Sequence, residues 1–432
     1  MFAEAEADPS LSKDFKPLEA RLRVALLNAQ YQRLQKAEKS LLVVVAGIDG
    51  AGKGATVNLL NEWMDPRHIK TLAYGPPEGD ELDRPPMWRY WKDLPPKGST
   101  GIVFGSWYTP LIREAARKKP NQDHIEAQSV AIRRFEAMLA AEGVQIIKLW
   151  FHLSSEAQQA RAQRLLASPE TSWQVSPVDL KVHKKYDRIR NSGQVVINHT
   201  DSGHAPWVVI PSADENMRAA RTAEAVLAAM RQHTVPRIPA TFVAHTGPAR
   251  ILDRLGQLDY DAKVDRDDYE SELGLLQGRL ARAARSKKFQ ERSLVLVFEG
   301  QDAAGKGGAI RRITHALDAR QFDITPVAAP NSYELARPYL WRFWRHVPRL
   351  GRIAIFDRSW YGRVLVERVE KLTPPSQWRR AYAEINDFEG QLASSGALVL
   401  KFWLAVTADV QLERFKDREK SPFKNFKITP DD

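Results

Sequence analysis

Residues 294–308 of the chain are Leu-Val-Leu-Val-Phe-Glu-Gly-Gln-Asp-Ala-Ala-Gly-Lys-Gly-Gly. The apolar run Leu294–Phe298 is rich in β-branched side chains, which is typical of a buried parallel strand. A Gly-x-x-x-x-Gly-Lys pattern follows at Gly300–Lys306, before a helical pattern, as in a P-loop. In such a loop, backbone amides surround phosphate oxygens and the lysine neutralises their charge. The stretch therefore predicts an α/β fold with a phosphate-binding site.

The same stretch occurs a second time, 253 residues earlier in the chain. Gly47-Ile-Asp-Gly-Ala-Gly-Lys-Gly54 pairs with Gly300–Gly307, and both follow an apolar run. The offset also aligns two Ser-Trp-Tyr triplets, which begin at Ser106 and Ser359. A single register that holds over roughly 100 residues indicates an internal duplication.

The duplication predicts two tandem P-loop kinase-like domains, each an α/β unit with a parallel sheet flanked by helices, and a helical lid. We place the first domain at 1–240 and the second at 241–432, with the linker near Pro236–Pro239 because two prolines interrupt any helix there. Under the offset, Asp432 pairs with Asp179. The second domain is therefore expected to lack the counterpart of a closing segment of about 55 residues.

Composition limits the partners and the chemistry of the chain. Its 432 residues are 43% hydrophobic and 9% aromatic, enough for two packed cores, and its formal net charge of +11 favours anionic ligands. The absence of cysteine excludes disulfides, thiolate metal sites and thiol nucleophiles. The N-terminus lacks a signal pattern and no apolar run is long enough to span a membrane. We expect a cytoplasmic protein without a membrane partner.

Both P-loops depart from the usual pattern in the same way. The residue after the lysine is normally Ser or Thr and ligates magnesium, but here it is Gly54 or Gly307. Each loop carries an internal carboxylate instead, Asp49 or Asp302. We hypothesise that this aspartate takes over the metal-binding or orienting role of the missing hydroxyl. The alternative is a glycine-rich turn whose carboxylate only caps the following helix.

The two repeats differ at the second strand of each domain. Residues 355–363 are Ile-Phe-Asp-Arg-Ser-Trp-Tyr-Gly-Arg, and residues 102–110 are Ile-Val-Phe-Gly-Ser-Trp-Tyr-Thr-Pro. An acidic residue that ends a strand beside a P-loop commonly holds magnesium, and nearby arginines bind phosphate. The first repeat has lost these groups, so we expect it to be inactive or much weakened. The replaced residues are Asp357 by Phe104, Arg358 by Gly105, and Arg363 by Pro110.

Two further segments of the second repeat have competing interpretations. Arg414 and Arg418 lie four positions apart in a basic segment after the third strand, where P-loop kinases often have a lid over the phosphates. An ordinary charged helix end is the alternative. The aromatic run at 338–344 contains Trp341 and Trp344, which could stack on a base but whose spacing favours a helix face in the core.

These motifs together resemble the polyphosphate kinase 2 family. The resemblance rests on Gly300–Gly308, on the Phe-Asp-Arg-Ser-Trp-Tyr-Gly-Arg run at 356–363 and on the preceding aromatic run. It extends over essentially the whole chain, and the two fused repeats look like the two-domain class, the polyphosphate:AMP phosphotransferases. The resemblance implies transfer of the terminal phosphoryl group of inorganic polyphosphate to AMP, which yields ADP, with magnesium (manganese is the alternative).

The resemblance and the motifs define a set of expected site residues. Asp302, Lys306, Asp357 and Arg358 are the expected catalytic residues, and Asp302 and Asp357 are also the candidate metal ligands. The expected phosphate-binding or nucleotide-binding residues are Gly300, Ala303, Ala304, Gly305, Gly307, Gly308, Arg342, Arg363, Arg414 and Arg418.

Three other functions stay open from the sequence. The acceptor could be a nucleoside diphosphate such as ADP or GDP, and the donor could be ATP, as in an ordinary nucleotide kinase. A P-loop protein that binds nucleic acid is a third class, but the arginines concentrate at the phosphate motifs and no recognition motif is present, so we expect no nucleic-acid partner. The sequence leaves homo-oligomerisation open.

Overall fold

The structure is a computed structural model, and it describes residues 2–7, 15–175, 185–232 and 253–422. The predicted linker at Pro236–Pro239 lies outside these residues. The chain forms two compact units, each built around one sheet. The first unit comprises 1–77, 89–242 and 330–341, and the second comprises 78–88, 243–329 and 342–432.

Helices and strands alternate through the first half of the chain. Its elements are α1 Phe2–Glu6, α2 Phe15–Lys36, β1 Ser40–Gly47, α3 Lys53–Trp63, β2 Ile69–Ala73, α4 Trp88–Lys92, β3 Thr100–Phe104, α5 Tyr108–Ala115, α6 Gln122–Ala141, β4 Val144–His152, α7 Ser155–Leu166, α8 Tyr186–Thr200, β5 Trp207–Pro211 and α9 Glu215–Arg231. Short 3₁₀ turns occur at Pro66–His68, Gly79–Glu81 and Ser172–Gln174.

The second half repeats this order. Its elements are α10 Arg266–Ala284, α11 Lys287–Gln290, β6 Ser293–Gly300, α12 Lys306–Thr314, β7 Phe322–Pro326, α13 Ser332–Leu335, α14 Trp341–Trp344, β8 Ile353–Asp357, α15 Val366–Val369, α16 Pro375–Ser394, β9 Ala397–Leu404 and α17 Ala408–Lys420. A 3₁₀ turn spans Trp360–Arg363.

Both sheets are parallel, and the four strands of the second sheet follow the same order as the first four strands of the first sheet. The strand order is β2-β3-β1-β4-β5 in the first sheet and β7-β8-β6-β9 in the second. Strands β1 and β6 lie at interior positions of their sheets. Their apolar composition is typical of parallel strands that helices cover on both faces. The predicted fold class, two parallel sheets flanked by helices, is confirmed.

The register of each sheet places the second strand beside the P-loop strand. Val45 pairs with Phe104 between β1 and β3, and Phe298 pairs with Asp357 between β6 and β8. The carboxyl end of β8 therefore lies next to the loop that follows β6. This neighbourhood is where ligands bind in open α/β sheets.

The two tryptophans of the aromatic run at 338–344 are buried and do not form a stacking surface. Trp341 and Trp344 are 2% and 0% exposed, so the core interpretation of the aromatic run is correct. In the second unit, Leu296, Phe298 and Ile355 belong to a buried apolar cluster at the centre of the sheet. No helix within the described ranges is long and apolar enough to cross a membrane.

A hydrogen-bonded group of four side chains occurs in both units at the same offset. In the first unit, Glu136 accepts from Trp107 Nε1 at 3.1 Å, from Tyr108 Oη at 2.7 Å and from Lys148 Nζ at 2.9 Å. The counterparts Trp360, Tyr361, Glu389 and Lys401 repeat these contacts at 3.0, 2.7 and 2.8 Å. The Lys148 side chain is fully buried, whereas that of Lys401 is 48% exposed.

Each unit contains a segment that comes from the other half of the sequence. Residues 330–341 belong to the first unit, where Lys97 N donates to Ala336 O at 2.8 Å. Residues 78–88 belong to the second unit, where Leu350 N donates to Asp83 O at 2.9 Å. The two segments occupy equivalent positions in the repeats, so the units exchange corresponding pieces of chain.

Candidate active site

The P-loop of the second repeat joins β6 to α12. Gly300 has a φ of +130°, and a Cβ at this position would lie 2.0 Å from Leu404 O, so only glycine fits. Helix α12 begins at Lys306, with Gly307 and Gly308 in its first turn. Lys306 Nζ donates to Gly300 O and to Gln301 O, both at 2.8 Å. The lysine thus lies against its own loop, where a phosphate group can take over its hydrogen bonds.

Carboxylates and cations surround Lys306. Burial lowers the pKa of Lys306, and the positive charge of Arg358 lowers it further. The negative charges of Asp302, Asp357 and Glu299 oppose this shift. All four groups are therefore close enough to interact with the lysine. The structure brings together the four residues that the sequence predicts to be catalytic.

Asp302 lies in the loop as an ionised carboxylate. Its side chain accepts a hydrogen bond from Ala303 N at 2.7 Å, and Arg418 Nη1 lies 3.6 Å from its Oδ1. Burial alone would raise the pKa of Asp302, but this amide and the charges of Arg418 and Lys306 outweigh it and keep the pKa below its ordinary value. The carboxylate is therefore negatively charged at neutral pH.

Glu299 is a further acidic residue of the site, and the sequence analysis missed it. Ser359 Oγ donates to Glu299 Oε1 at 2.6 Å, and burial raises the pKa of Glu299 against the effect of this hydrogen bond. The residue at the same offset in the first repeat is Ala46. The signal was present in the alignment of the repeats, because Glu299 ends an otherwise apolar strand directly before the P-loop.

Two residues of the site have a left-handed backbone although they are not glycine. Arg358 has a φ of +64° and Ala303 a φ of +55°. Such conformations cost about 1–2 kcal/mol for residues with a Cβ and are retained mainly where the surroundings enforce them. The first repeat has glycine at both equivalent positions, Gly105 and Gly50.

Helix α17 packs its side chains against the P-loop. Arg414 Nη1 donates to Ala303 O at 2.9 Å, and Gln411 Nε2 donates to Asp302 O at 3.0 Å. Arg418 adds an ion pair with Asp302. Side chains from two turns on one face of the helix therefore contact the loop. This contact fits the proposed lid, because the helix lies against the P-loop.

Two predicted phosphate-binding arginines, Arg342 and Arg363, have protein partners. Arg342 Nη2 donates to Ala328 O at 2.9 Å. Arg363 Nε lies 2.9 Å from a Glu367 carboxylate oxygen, and its Nη1 donates to Gln377 Oε1 at 2.7 Å. Their assignment to substrate binding stays a prediction.

The P-loop of the first repeat keeps its lysine and aspartate, but four charged residues around it are replaced. Lys53 Nζ donates to Gly47 O and Ile48 O, both at 2.9 Å, and to Asp49 Oδ1 at 3.2 Å. The positions equivalent to Asp357, Arg358 and Arg363 hold Phe104, Gly105 and Pro110, and the position of Arg418 holds Leu165. This loop can surround a phosphate but has few groups to stabilise charge that develops during transfer.

The carboxylates of the second repeat fit a magnesium ion only in part. Within the described ranges, no three His, Asp or Glu side chains lie together in a way that could hold a metal ion. Mg²⁺ in phosphoryl-transfer sites commonly has one or two protein carboxylates, substrate phosphates and water as ligands. Asp302 and Asp357 match that smaller requirement.

The fold and the site define the class: a P-loop phosphotransferase built from a duplicated α/β unit. The family model of polyphosphate kinase 2 matches residues 11–237 and 263–432. The chain therefore belongs to the polyphosphate kinase 2 family, and the resemblance seen in its motifs is confirmed.

Full-length relatives support this assignment. The chain is 47% identical to a polyphosphate:AMP phosphotransferase of Pseudomonas aeruginosa, over 100% of this chain and 88% of the relative. It is 41% identical to a protein of the same name from Acinetobacter johnsonii, over 96% of this chain and 85% of the relative. A crystal structure described as polyphosphate kinase 2 from P. aeruginosa PA01 superimposes with a TM-score of 0.87 at 45% identity, covering 100% of this chain and 87% of that one.

Proposed function

We propose that the chain transfers the terminal phosphoryl group of inorganic polyphosphate to AMP, giving ADP, at the P-loop of the second repeat. The observation that carries the proposal is the group of charged side chains around Lys306 at the carboxyl edge of the second sheet. The relatives' shared name supports polyphosphate as the donor and AMP as the acceptor. A cytoplasmic location is part of the proposal.

Each residue has a separate task in this proposal. The loop amides and Lys306 hold the terminal phosphates of the donor, and Arg358, Arg414 and Arg418 neutralise the charge of the phosphoryl group as it passes in line to the acceptor. No covalent enzyme intermediate is required, because phosphoryl transfer depends mainly on positioning and electrostatic stabilisation. Glu299 acts as a positioning residue, because its hydrogen bond fixes Ser359, the neighbour of Arg358.

Magnesium, with manganese as the alternative, would be held by Asp302 and Asp357 together with phosphate oxygens and water. When bound, such an ion would neutralise negative charge on the phosphates. Both carboxylates contribute negative charge around Lys306, which would favour a bound cation.

One assay tests the proposal directly. The full chain is incubated with Mg²⁺, polyphosphate and one nucleotide at a time (AMP, ADP, GMP or GDP), and products are separated by ion-exchange chromatography. We expect ADP from AMP to form fastest, and no comparable product when ATP is the sole donor. Transfer from ATP alone would instead indicate an ordinary nucleotide kinase, and a preference for ADP or GDP would change the acceptor. Stoichiometric DNA binding without phosphoryl transfer would indicate the nucleic-acid-binding class.

A further inference from the structure

The P-loop of the first repeat opens into a cavity of about 720 Å³. Lys53, Gly54 and Asn58 lie on the side of the loop and helix α3, and Gln158 and Arg161 of α7 lie opposite. The Arg161 residue is 7% exposed, and its Nε donates to Gly50 O at 3.0 Å. The P-loop of the first repeat therefore still has space for a ligand, although it lacks the counterparts of the predicted catalytic residues Asp357 and Arg358.

One side of the cavity is apolar. Leu165 of α7 lines it where the second repeat has Arg418, and Ala162 and Val175 continue this side. Trp173 also lines the cavity, and this residue is 78% exposed. Large exposed aromatic rings beside a phosphate cradle provide a stacking surface for a base. Polyphosphate has no aromatic or apolar group that could pack against this side of the cavity.

The number of phosphates follows from the charges that are present. P-loop amides surround the α- and β-phosphates, and the lysine reaches the β-phosphate. Lys53 is available for this role, but the strand-end acid that would hold magnesium for a third phosphate is Phe104 here. Arg161 is already paired with Glu215 at 2.7 Å. The positive charge available at this P-loop therefore matches two phosphate groups better than three.

We infer that the P-loop of the first repeat is a non-catalytic binding site for a nucleoside diphosphate, with the diphosphate at Gly47–Gly54 and the base against Trp173. This site is separate from the proposed transfer site, and its occupancy does not depend on the residues around Lys306.

Photoaffinity labelling of the full chain tests the inference. The probe is a photoreactive azidoadenosine diphosphate, and labelled tryptic peptides are identified by mass spectrometry over a range of probe concentrations. We expect saturable labelling of the peptide that follows Arg164, which contains Trp173. Trp173→Ala should raise the half-saturating concentration about tenfold, because base stacking contributes about 1–3 kcal/mol. Trp173→Phe should restore it to within about threefold, because phenylalanine can also stack on a base.

Matched variants separate the two sites. Lys53→Ala should weaken labelling of the Trp173 peptide, whereas Lys306→Ala should leave it within about twofold and reduce labelling of the second repeat. Labelling confined to the second repeat would overturn the inference. The same holds if neither Lys53→Ala nor Trp173→Ala weakens labelling of the peptide that follows Arg164, or if tripolyphosphate displaces the probe more effectively than ADP does. Because Trp173 is largely exposed, its substitution leaves the core intact.

Discussion

The two P-loop regions of this chain have similar backbone angles, but they differ in the residues at the left-handed positions. At two left-handed positions the second repeat has Ala303 and Arg358, and the first has Gly50 and Gly105. Glycine adopts this conformation without strain, whereas a residue with a Cβ does not. The strain is present where charged groups cluster around the P-loop, and it is absent from the repeat that lost those groups.

This difference has a structural consequence that sequence comparison does not reveal. A Cβ built on Gly105 would lie 1.9 Å from Tyr74 O. The backbone at Tyr74 therefore occupies the space that an arginine side chain would need. Restoring the arginine would require movement of Tyr74. Loss of the charged residues is therefore accompanied by repacking.

The largest expected effect is the difference in activity between variants of the two P-loop lysines, Lys306 and Lys53. Lys306→Ala should lower kcat for phosphoryl transfer by about 10³-fold or more, because the lysine contacts the transferred phosphates. Lys53→Ala, its counterpart in the first repeat, should change kcat by less than about threefold. Steady-state kinetics with polyphosphate and AMP measure both. Equal losses in the two variants would contradict the assignment of the active site to the second repeat.

The next comparison concerns folding stability. Lys148→Met should lower the free energy of unfolding by about 3–5 kcal/mol, because it leaves Glu136 buried without its cation. Lys401→Met removes the equivalent lysine, whose side chain is 48% exposed, and should cost at most about 1 kcal/mol. Hydrogen exchange of the strands of each sheet, followed by mass spectrometry, reports the two units separately. A larger loss for Lys401→Met would show that exposure does not decide the strength of this group.

Arg358→Gly tests the strain directly. We expect kcat to fall about 100-fold, because a charge near the transferred phosphoryl group is lost. The free energy of unfolding should rise by about 1 kcal/mol, because glycine relieves the left-handed backbone. The control is Gly105→Ala, which should destabilise the chain by more than about 1 kcal/mol because of the contact with Tyr74. If Arg358→Gly is both less active and less stable, the strain interpretation is wrong.

The smallest effect is expected for Glu299, which Ala46 replaces in the first repeat. Glu299→Ala should lower kcat about tenfold with little change in KM, because the side chain positions Ser359 and does not touch substrate. Glu299→Gln should recover most of this loss, because its amide oxygen can still accept from the serine. If the glutamine variant is as impaired as the alanine variant, the negative charge matters rather than the hydrogen bond.

The sequence predicts those parts of the molecule that depend on local pattern. The apolar run before Gly300 indicates a buried strand, and the glycine itself is required by its close approach to Leu404 O. The offset of 253 residues predicts both sheets and the differences at Phe104 and Gly105. Glu299 was equally visible in that alignment, but the comparison concentrated on the second strand.

The remaining features depend on tertiary contacts, which local pattern does not encode. The Arg358 residue itself does not indicate a positive φ, since arginine rarely adopts one; the only sequence signal is the glycine at the equivalent position of the first repeat, Gly105. The pairing of Arg363 with Glu367 and Gln377 also follows from the fold, because a basic residue near a phosphate motif is predicted to bind phosphate whatever its neighbours are.

The exchanged segments have a consequence for biosynthesis. The first unit takes residues 330–341 from the second half of the chain, and these residues emerge from the ribosome only after strand β7 has been made. At about 5–20 residues per second, the first unit waits several seconds for its last piece after its own strands are complete. Expressing the two halves separately would leave each product without one of its segments.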